Sequence, residues 1–133
     1  MKKINCVLLV DDDNINNFIN ERLLKKLNIT HNVKVAMNGE EALDFLKSNA
    51  QNPHPELILL DINMPVMDGF EFLQEYKKME QTNGDAKPYI IMLTTSTNPN
   101  DVDKVKKSDV AGYINKPLTE AKIMEIVQKH FPA

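Results

Sequence analysis

The sequence is poor in the features that would set it apart from an ordinary compact domain. Cys6 is its one cysteine, so no internal disulfide can form, which suits a reducing, cytoplasmic setting. Cys6 lies in an apolar run and reads as a small buried hydrophobe rather than a reactive thiol. No apolar run reaches membrane-spanning length. Lys2 and Lys3 precede the apolar stretch 4–10 as in a secretory leader, but Asn5 interrupts it, Asp11 stops it and no small-residue cleavage site follows. Charge of one sign is not in excess. Sixteen basic against 19 acidic residues leave a net charge of −3, which excludes an electrostatic footprint for nucleic acid. Repeats, low-complexity tracts and linkers are absent, and 133 residues with 42% hydrophobic content fit one domain with one core.

What is present begins at INCVLLVDDDNIN, residues 4–16. Val7 to Val10 run straight into Asp11, Asp12 and Asp13, three like charges that repel and are costly to bury. From there apolar strands alternate with amphipathic helical patterns. Cys6–Val10 reads as a strand buried on both faces. Ile15, Phe18, Ile19, Leu23 and Leu27 then recur at helical spacing, with Asn14 as the expected cap. Val33–Met37 reads as the second strand, broken by Asn38-Gly39, with a helix from Ala42 onward. Leu57–Leu60 is the third strand, ending at Asp61, and Phe70, Leu73 and Tyr76 mark the third helix. Gln81–Lys87 reads as a loop, Tyr89–Leu93 as the fourth strand, Asp101–Lys107 as a short polar helix and Gly112–Asn115 as the fifth strand. Ile123, Met124, Ile126 and Val127 belong to the last helix.

Five strand–helix units predict an α/β fold, a doubly wound parallel sheet with helices on both faces and right-handed crossovers. Ligands of such sheets bind at the carboxyl ends of the strands. Asp11–Asp13 follow the first strand and Asp61 the third, so four carboxylates gather at one edge if those strands are neighbours. Crowded carboxylates need shared protons or a cation. An all-oxygen cluster favours a hard ion, Mg²⁺ first, with Mn²⁺ or Ca²⁺ as alternatives. Mg²⁺ commonly uses one or two protein carboxylates and completes its shell with water and phosphate oxygens. Thr94, Thr95 and Ser96 follow the fourth strand and Asn115-Lys116-Pro117 the fifth. Carboxylates, a metal, a hydroxyl and an ammonium are the parts needed to place a phosphoryl group on an aspartate.

In this order LLVDDD, LILLDINMPVMDG, IIMLTTS and GYINKPL closely resemble the receiver domain of two-component response regulators, over essentially the whole chain. The resemblance implies a flavodoxin-like (βα)5 fold with strand order 2-1-3-4-5, and a single receiver domain over 1–133 without an output domain. It implies that Asp61 is the phosphorylation site, supplied by a sensor histidine kinase or a histidine-containing phosphotransfer protein. Asp12, Asp61 and the backbone carbonyl of Asn63 would be the metal ligands, with Asp11 acting through water. Thr94 and Lys116 match the family's hydroxyl and lysine, the Lys116–Pro117 bond is expected cis, and Tyr113 matches the aromatic switch residue. Thr95, Ser96 and Asn63 flank the expected path of water and would tune the lifetime of the phosphoaspartate. A downstream target protein is expected on the face of the fourth helix, fifth strand and fifth helix, with a phosphorylation-dependent homodimer as a further option and neither nucleic acid nor membrane as a direct partner. Asp13 is left to solvent or to the first helix's N-terminus.

Each feature has a plainer meaning in isolation: a solvated turn for Asp11–Asp13, turn chemistry for Asp61, strand preference for Thr94, a surface charge for Lys116. Their joint occurrence at four strand ends is what argues for a site. His31, His54 and His130 lack ligand spacing and are expected on the surface. An EF-hand loop starting at Asp12 fails, because Asn17 and Leu23 stand where Gly and Glu are required. Asp11 and Asp13, as D-x-D after a strand, also resemble haloacid-dehalogenase-type phosphatases, but Ile15 departs from that pattern and Asp61 goes unexplained. A receiver-like module that only binds partners would have lost Asp61, Thr94 or Lys116, and all three are here.

Overall fold

A computed structural model describes residues 3–48, 54–64, 66–80, 88–95, 99–108 and 110–132. Its elements are β1 (Ile4–Val10), α1 (Asn14–Leu27), β2 (Thr30–Ala36), α2 (Gly39–Ser48), β3 (Leu57–Asp61), α3 (Gly69–Glu80), β4 (Tyr89–Thr94), α4 (Pro99–Lys107), β5 (Gly112–Asn115) and α5 (Glu120–His130). The strands form one parallel sheet in the order β2-β1-β3-β4-β5, as expected. The expected loop over Gln81–Lys87 lies outside the described residues.

Side chains alternate across the sheet and feed two cores. On one face Leu8, Val10, Ile58, Leu60 and Met92 pack with Ala42, Leu43 and Leu46 of α2, Phe72 and Tyr76 of α3, and Val105 of α4. On the other Val7, Leu9, Leu57, Leu59, Ile91 and Leu93 pack with Leu24 of α1 and Ile123 and Val127 of α5. Burial on both faces is why β1, β3 and β4 are continuous apolar runs. β2, at the sheet edge, is mostly exposed between Thr30 and Ala36 and starts three residues before the expected Val33.

Two expectations for the first helix are corrected. Asp13, not Asn14, is the N-cap, its carboxylate accepting from the amides of Ile15 and Asn16. The apolar stripe is also only partly buried: Leu23 and Leu27 pack against the core, but Ile15, Phe18 and Ile19 are 69%, 59% and 54% exposed, while Asn17, Asn20 and Leu24 are buried. The phase of the helix follows from its anchors. The Asp13 cap fixes its first turn, and Asn17 Nδ2 donates to the Asp11 carbonyl at 2.8 Å and to Met37 Sδ at 3.6 Å, which turns that face inward. A third correction concerns Gly39, which opens α2 instead of only breaking β2. Its amide donates to the Met67 carbonyl, and a Cβ at this position would sit 2.8 Å from Met67 Cγ. No helix among the described residues is long and apolar enough to cross a membrane.

Candidate functional site

Parallel pairing of β1 with β3 and of β3 with β4 carries the ends of these strands to one edge. Asp11, just past β1, and Asp61, the last residue of β3, are 3% and 5% exposed, whereas Asp12 is exposed. Carboxylate oxygens of Asp11, Asp12 and Asp61 lie within 4.8 Å of one another. Asp11 Oδ1 accepts from the Asp13 amide at 2.9 Å. Asp13 itself faces its helix cap and is absent from the cluster, which removes the second acid that a D-x-D hydrolase would need.

Lys116 reaches this cluster from the far side. It follows β5, and its Nζ lies 3.1 Å from Asp11 Oδ2 and 3.1 Å from Asp61 Oδ1. Two near-buried acids so close would repel strongly, and one ammonium between them offsets part of that. Burial holds the Asp61 carboxyl above its ordinary range, opposed by Lys116 and by the backbone amide of Asn63, while Asp11 pushes it further up. For Lys116, burial alone would lower the pKa, but attraction to Asp61 and Asp11 outweighs it and leaves it raised. The Lys116–Pro117 bond is cis, as expected.

Thr94 ends β4 and is 3% exposed, and its carbonyl accepts from the Lys116 amide at 2.8 Å. Thr95 and Asn63 are exposed beside the cluster, and Ser96 lies outside the described residues. Tyr113 sits on β5 opposite Met92 in register and is 40% exposed. Gly69 closes the loop behind Asp61. Its amide donates to the Ile62 carbonyl at 2.9 Å, and a Cβ there would meet the Asp61 carbonyl oxygen at 2.8 Å. That backbone crowding is why glycine stands at 69.

The donor set fits a small hard cation. It offers oxygen ligands of like charge, two of them nearly buried, with an exposed third that leaves room for water. One residue the motif reading missed is Asn17. Its buried amide holds the Asp11 carbonyl, and only its helical distance from Asp11 could have pointed to it. His130 also departs from the plain surface position expected. Its ring lies 4.5 Å from that of Tyr89, and its Nε2 is buried.

Known proteins are similar to this chain in sequence and fold. A profile of the response regulator receiver domain matches residues 7–128. The chain is 33% identical over 126 residues to response regulator Rcp1 of Synechocystis, covering 92% of this chain and 83% of that protein. It is 34% identical over 122 residues to the chemotaxis protein CheY of Halobacterium salinarum, covering 91% and 92%. A two-component response regulator from Cytophaga hutchinsonii superposes with TM-score 0.84 at 32% identity, covering 96% and 97%. In a complex of the Saccharomyces cerevisiae phosphotransfer protein Ypd1 with the receiver domain of Ssk1, the match has TM-score 0.82 at 28% identity over 97% of this chain and 90% of that one.

Proposed function

We propose, since the chain belongs to the response regulator receiver domain family of two-component signalling, that Asp61 is its phosphoacceptor and a phosphohistidine on a partner protein the donor. The role is signalling rather than metabolic catalysis. The observation that carries the assignment is the Lys116 ammonium held 3.1 Å from both Asp11 and Asp61. In the transfer, a P–O bond forms to an Asp61 carboxylate oxygen as the donor's P–N bond breaks, and the departing imidazole nitrogen takes a proton from solvent. Lys116 stays beside the acceptor and stabilises charge on the phosphoryl oxygens. Thr94, at the end of β4, donates a hydrogen bond to one of them. Asp12 and Asp61 would hold Mg²⁺, or Mn²⁺, together with the Asn63 backbone carbonyl, and Asp11 would act through water. When bound, the ion neutralises phosphoryl oxygens. Asn63, Thr95 and Ser96 govern how readily water reaches the phosphoaspartate, and so the domain's own dephosphorylation. The Ypd1–Ssk1 complex supports a histidine phosphotransfer protein or a histidine kinase as donor.

The signal leaves through backbone links on the other side of Lys116. Its amide is tied to the Thr94 carbonyl, and Lys122 Nζ of α5 donates to the carbonyls of Asn115 at 2.8 Å and Pro117 at 3.3 Å. A shift at Thr94 therefore pulls on the β5 terminus and on α5. Tyr113, at 40% exposure, changes position in the same step, and the α4–β5–α5 face shifts between two populated states. That face serves a downstream target protein or a second phosphorylated copy of the chain. NMR with and without beryllofluoride tests the reading. In the wild type, the amides of Gly112–Asn115 and of α4 shift. Thr94→Ala and Tyr113→Ala each bind the phosphoryl mimic but respond weakly at these amides. Equal shifts in all three proteins would remove Thr94 and Tyr113 from the pathway.

A further inference from the structure

Asn17 is an odd residue for its place. It lies inside α1, where asparagine is a poor helix former, and it is buried, where an amide needs partners for both of its ends. Its Nδ2 has two acceptors, the Asp11 carbonyl at 2.8 Å and Met37 Sδ at 3.6 Å. Its Oδ1 is buried without a hydrogen-bond partner. Leucine has the same branched shape, a better helix propensity and no orphaned acceptor, so packing alone would favour leucine here. The Nδ2 contacts must therefore serve something besides stability. They fall where the acidic cluster leaves the sheet. Asp11 is held at its other polar atoms too. Its amide donates to the Ala36 carbonyl at 3.1 Å, its Oδ1 accepts from the Asp13 amide at 2.9 Å, and its Oδ2 lies 3.1 Å from Lys116 Nζ. Asp12 is exposed, so the direction of its carboxylate is set by the backbone that carries it. The Asp11 carbonyl and the Asp12 amide share one rigid peptide plane, and Asn17 grips that plane by its oxygen.

From this geometry we infer that Asn17 is a positioning residue for the cation site: it locks the Asp11–Asp12 peptide plane so that the Asp12 carboxylate is already aimed at the point it shares with Asp11 and Asp61. The inference rests on the metal role proposed above for Asp12. Met37, just past β2, ties the same amide to the neighbouring strand end, so the exits of β1 and β2 and the first turns of α1 move as one unit. Without the Nδ2 donor the peptide plane is free to rotate, and Asp12 turns with it. The ion must then pay for ordering its own ligand, and affinity falls. Groups that orient metal ligands from behind typically carry about tenfold or more in affinity.

The test sets Asn17→Leu, which keeps the shape and removes the donor, against Leu24→Ala, which removes buried packing from the same helix face away from the cluster. Both are titrated with MgCl₂ as the full chain and followed by NMR, with thermal unfolding of the metal-free proteins measured alongside. In Asn17→Leu the Asp12 amide resonance is expected to shift before any metal is added, Mg²⁺ affinity to fall about tenfold, and the unfolding midpoint to change less than in Leu24→Ala. Leu24→Ala should lower the midpoint and leave both the Asp12 resonance and the Mg²⁺ affinity as in the wild type. Three outcomes would each overturn the inference: wild-type Mg²⁺ affinity in Asn17→Leu, equal loss of affinity in the two variants, or an Asn17→Leu protein less stable than Leu24→Ala, which would make the residue structural. A wild type whose site amides ignore Mg²⁺ is a distinct result. It would remove the metal role of Asp12 itself, and this inference with it.

Discussion

Replacing Lys116 by methionine removes the ammonium and keeps most of the apolar stem, so the loss it causes is electrostatic. In the wild type Nζ contacts Asp11 Oδ2 and Asp61 Oδ1, both at 3.1 Å, and both acids are at most 5% exposed. Deleting one partner of a buried ion pair typically costs about 3–5 kcal/mol because a charge is left uncompensated. Here two are left, already close enough to repel. Lys116→Met is expected to lose at least about 3 kcal/mol without divalent ion, or on the order of 10 °C in Tm. The pH dependence has a definite sign. The Asp61 carboxyl is held above its ordinary range when folded, so the folded state binds that proton more tightly. Stability therefore falls as pH rises through the unfolded and then the folded pKa. With Lys116 gone, that interval widens, and the deficit is largest at neutral pH and shrinks on acidification. Asp61→Asn should stabilise the metal-free protein, and Lys116→Met combined with Asp61→Asn should recover most of the loss. Urea unfolding of the four proteins of this cycle, at neutral and mildly acidic pH, measures it. A deficit under about 1 kcal/mol, or no coupling between the two positions, would refute the role given to Lys116.

Three further outcomes follow from other parts of the molecule. Burial raises the Cys6 thiol from 9.0 to about 11, with Lys34 and Glu56 as smaller, opposing influences. The unfolded thiol ionises first, so stability should drop between pH 9.0 and about 11, by up to about 2.7 kcal/mol. Cys6→Val should lose that slope in urea unfolding across this range, and an unchanged slope would contradict it. Val66, β-branched and 73% exposed, is held at φ 70 in the left-handed region. Val66→Asn should therefore stabilise the protein by about 1 kcal/mol in chemical denaturation, and a loss would contradict the strain. Asp13→Ala should cost about 1 kcal/mol through its lost cap while leaving Mg²⁺ binding intact. Asp12→Asn should do the reverse in a Mg²⁺ titration, and an exchange of these effects would overturn the assignment of the two acids.

The architecture was legible because β1, β3 and β4 are buried on both faces, which writes them as unbroken apolar runs between turn residues. The polar edge strand β2 gives no such signal, so its first three residues, Thr30 to Asn32, were missed. The site residues were legible as types at strand ends, because a parallel sheet brings those ends together. The Lys116 bridge was not: it joins positions 105 residues apart, and only the packed sheet sets its two distances. The orientation of α1 failed for a definite reason. Apolar spacing predicts burial when packing alone sets a helix's phase, and here the Asp13 cap and the Asn17 contact to the Asp11 carbonyl set it instead. His130 carried no local sign of its contact with Tyr89, since the two rings meet across the fold from α5 to β4.

The central claim is that one carboxylate, that of Asp61, receives the phosphoryl group. The direct measurement is incubation with acetyl phosphate and Mg²⁺, reduction with borohydride, which converts a phosphorylated aspartate to homoserine, and peptide mapping by mass spectrometry. The account predicts homoserine at position 61 alone, and none in Asp61→Asn. Homoserine at Asp11, Asp12 or Asp13, or an Asp61→Asn protein labelled as fully as the wild type, would contradict it.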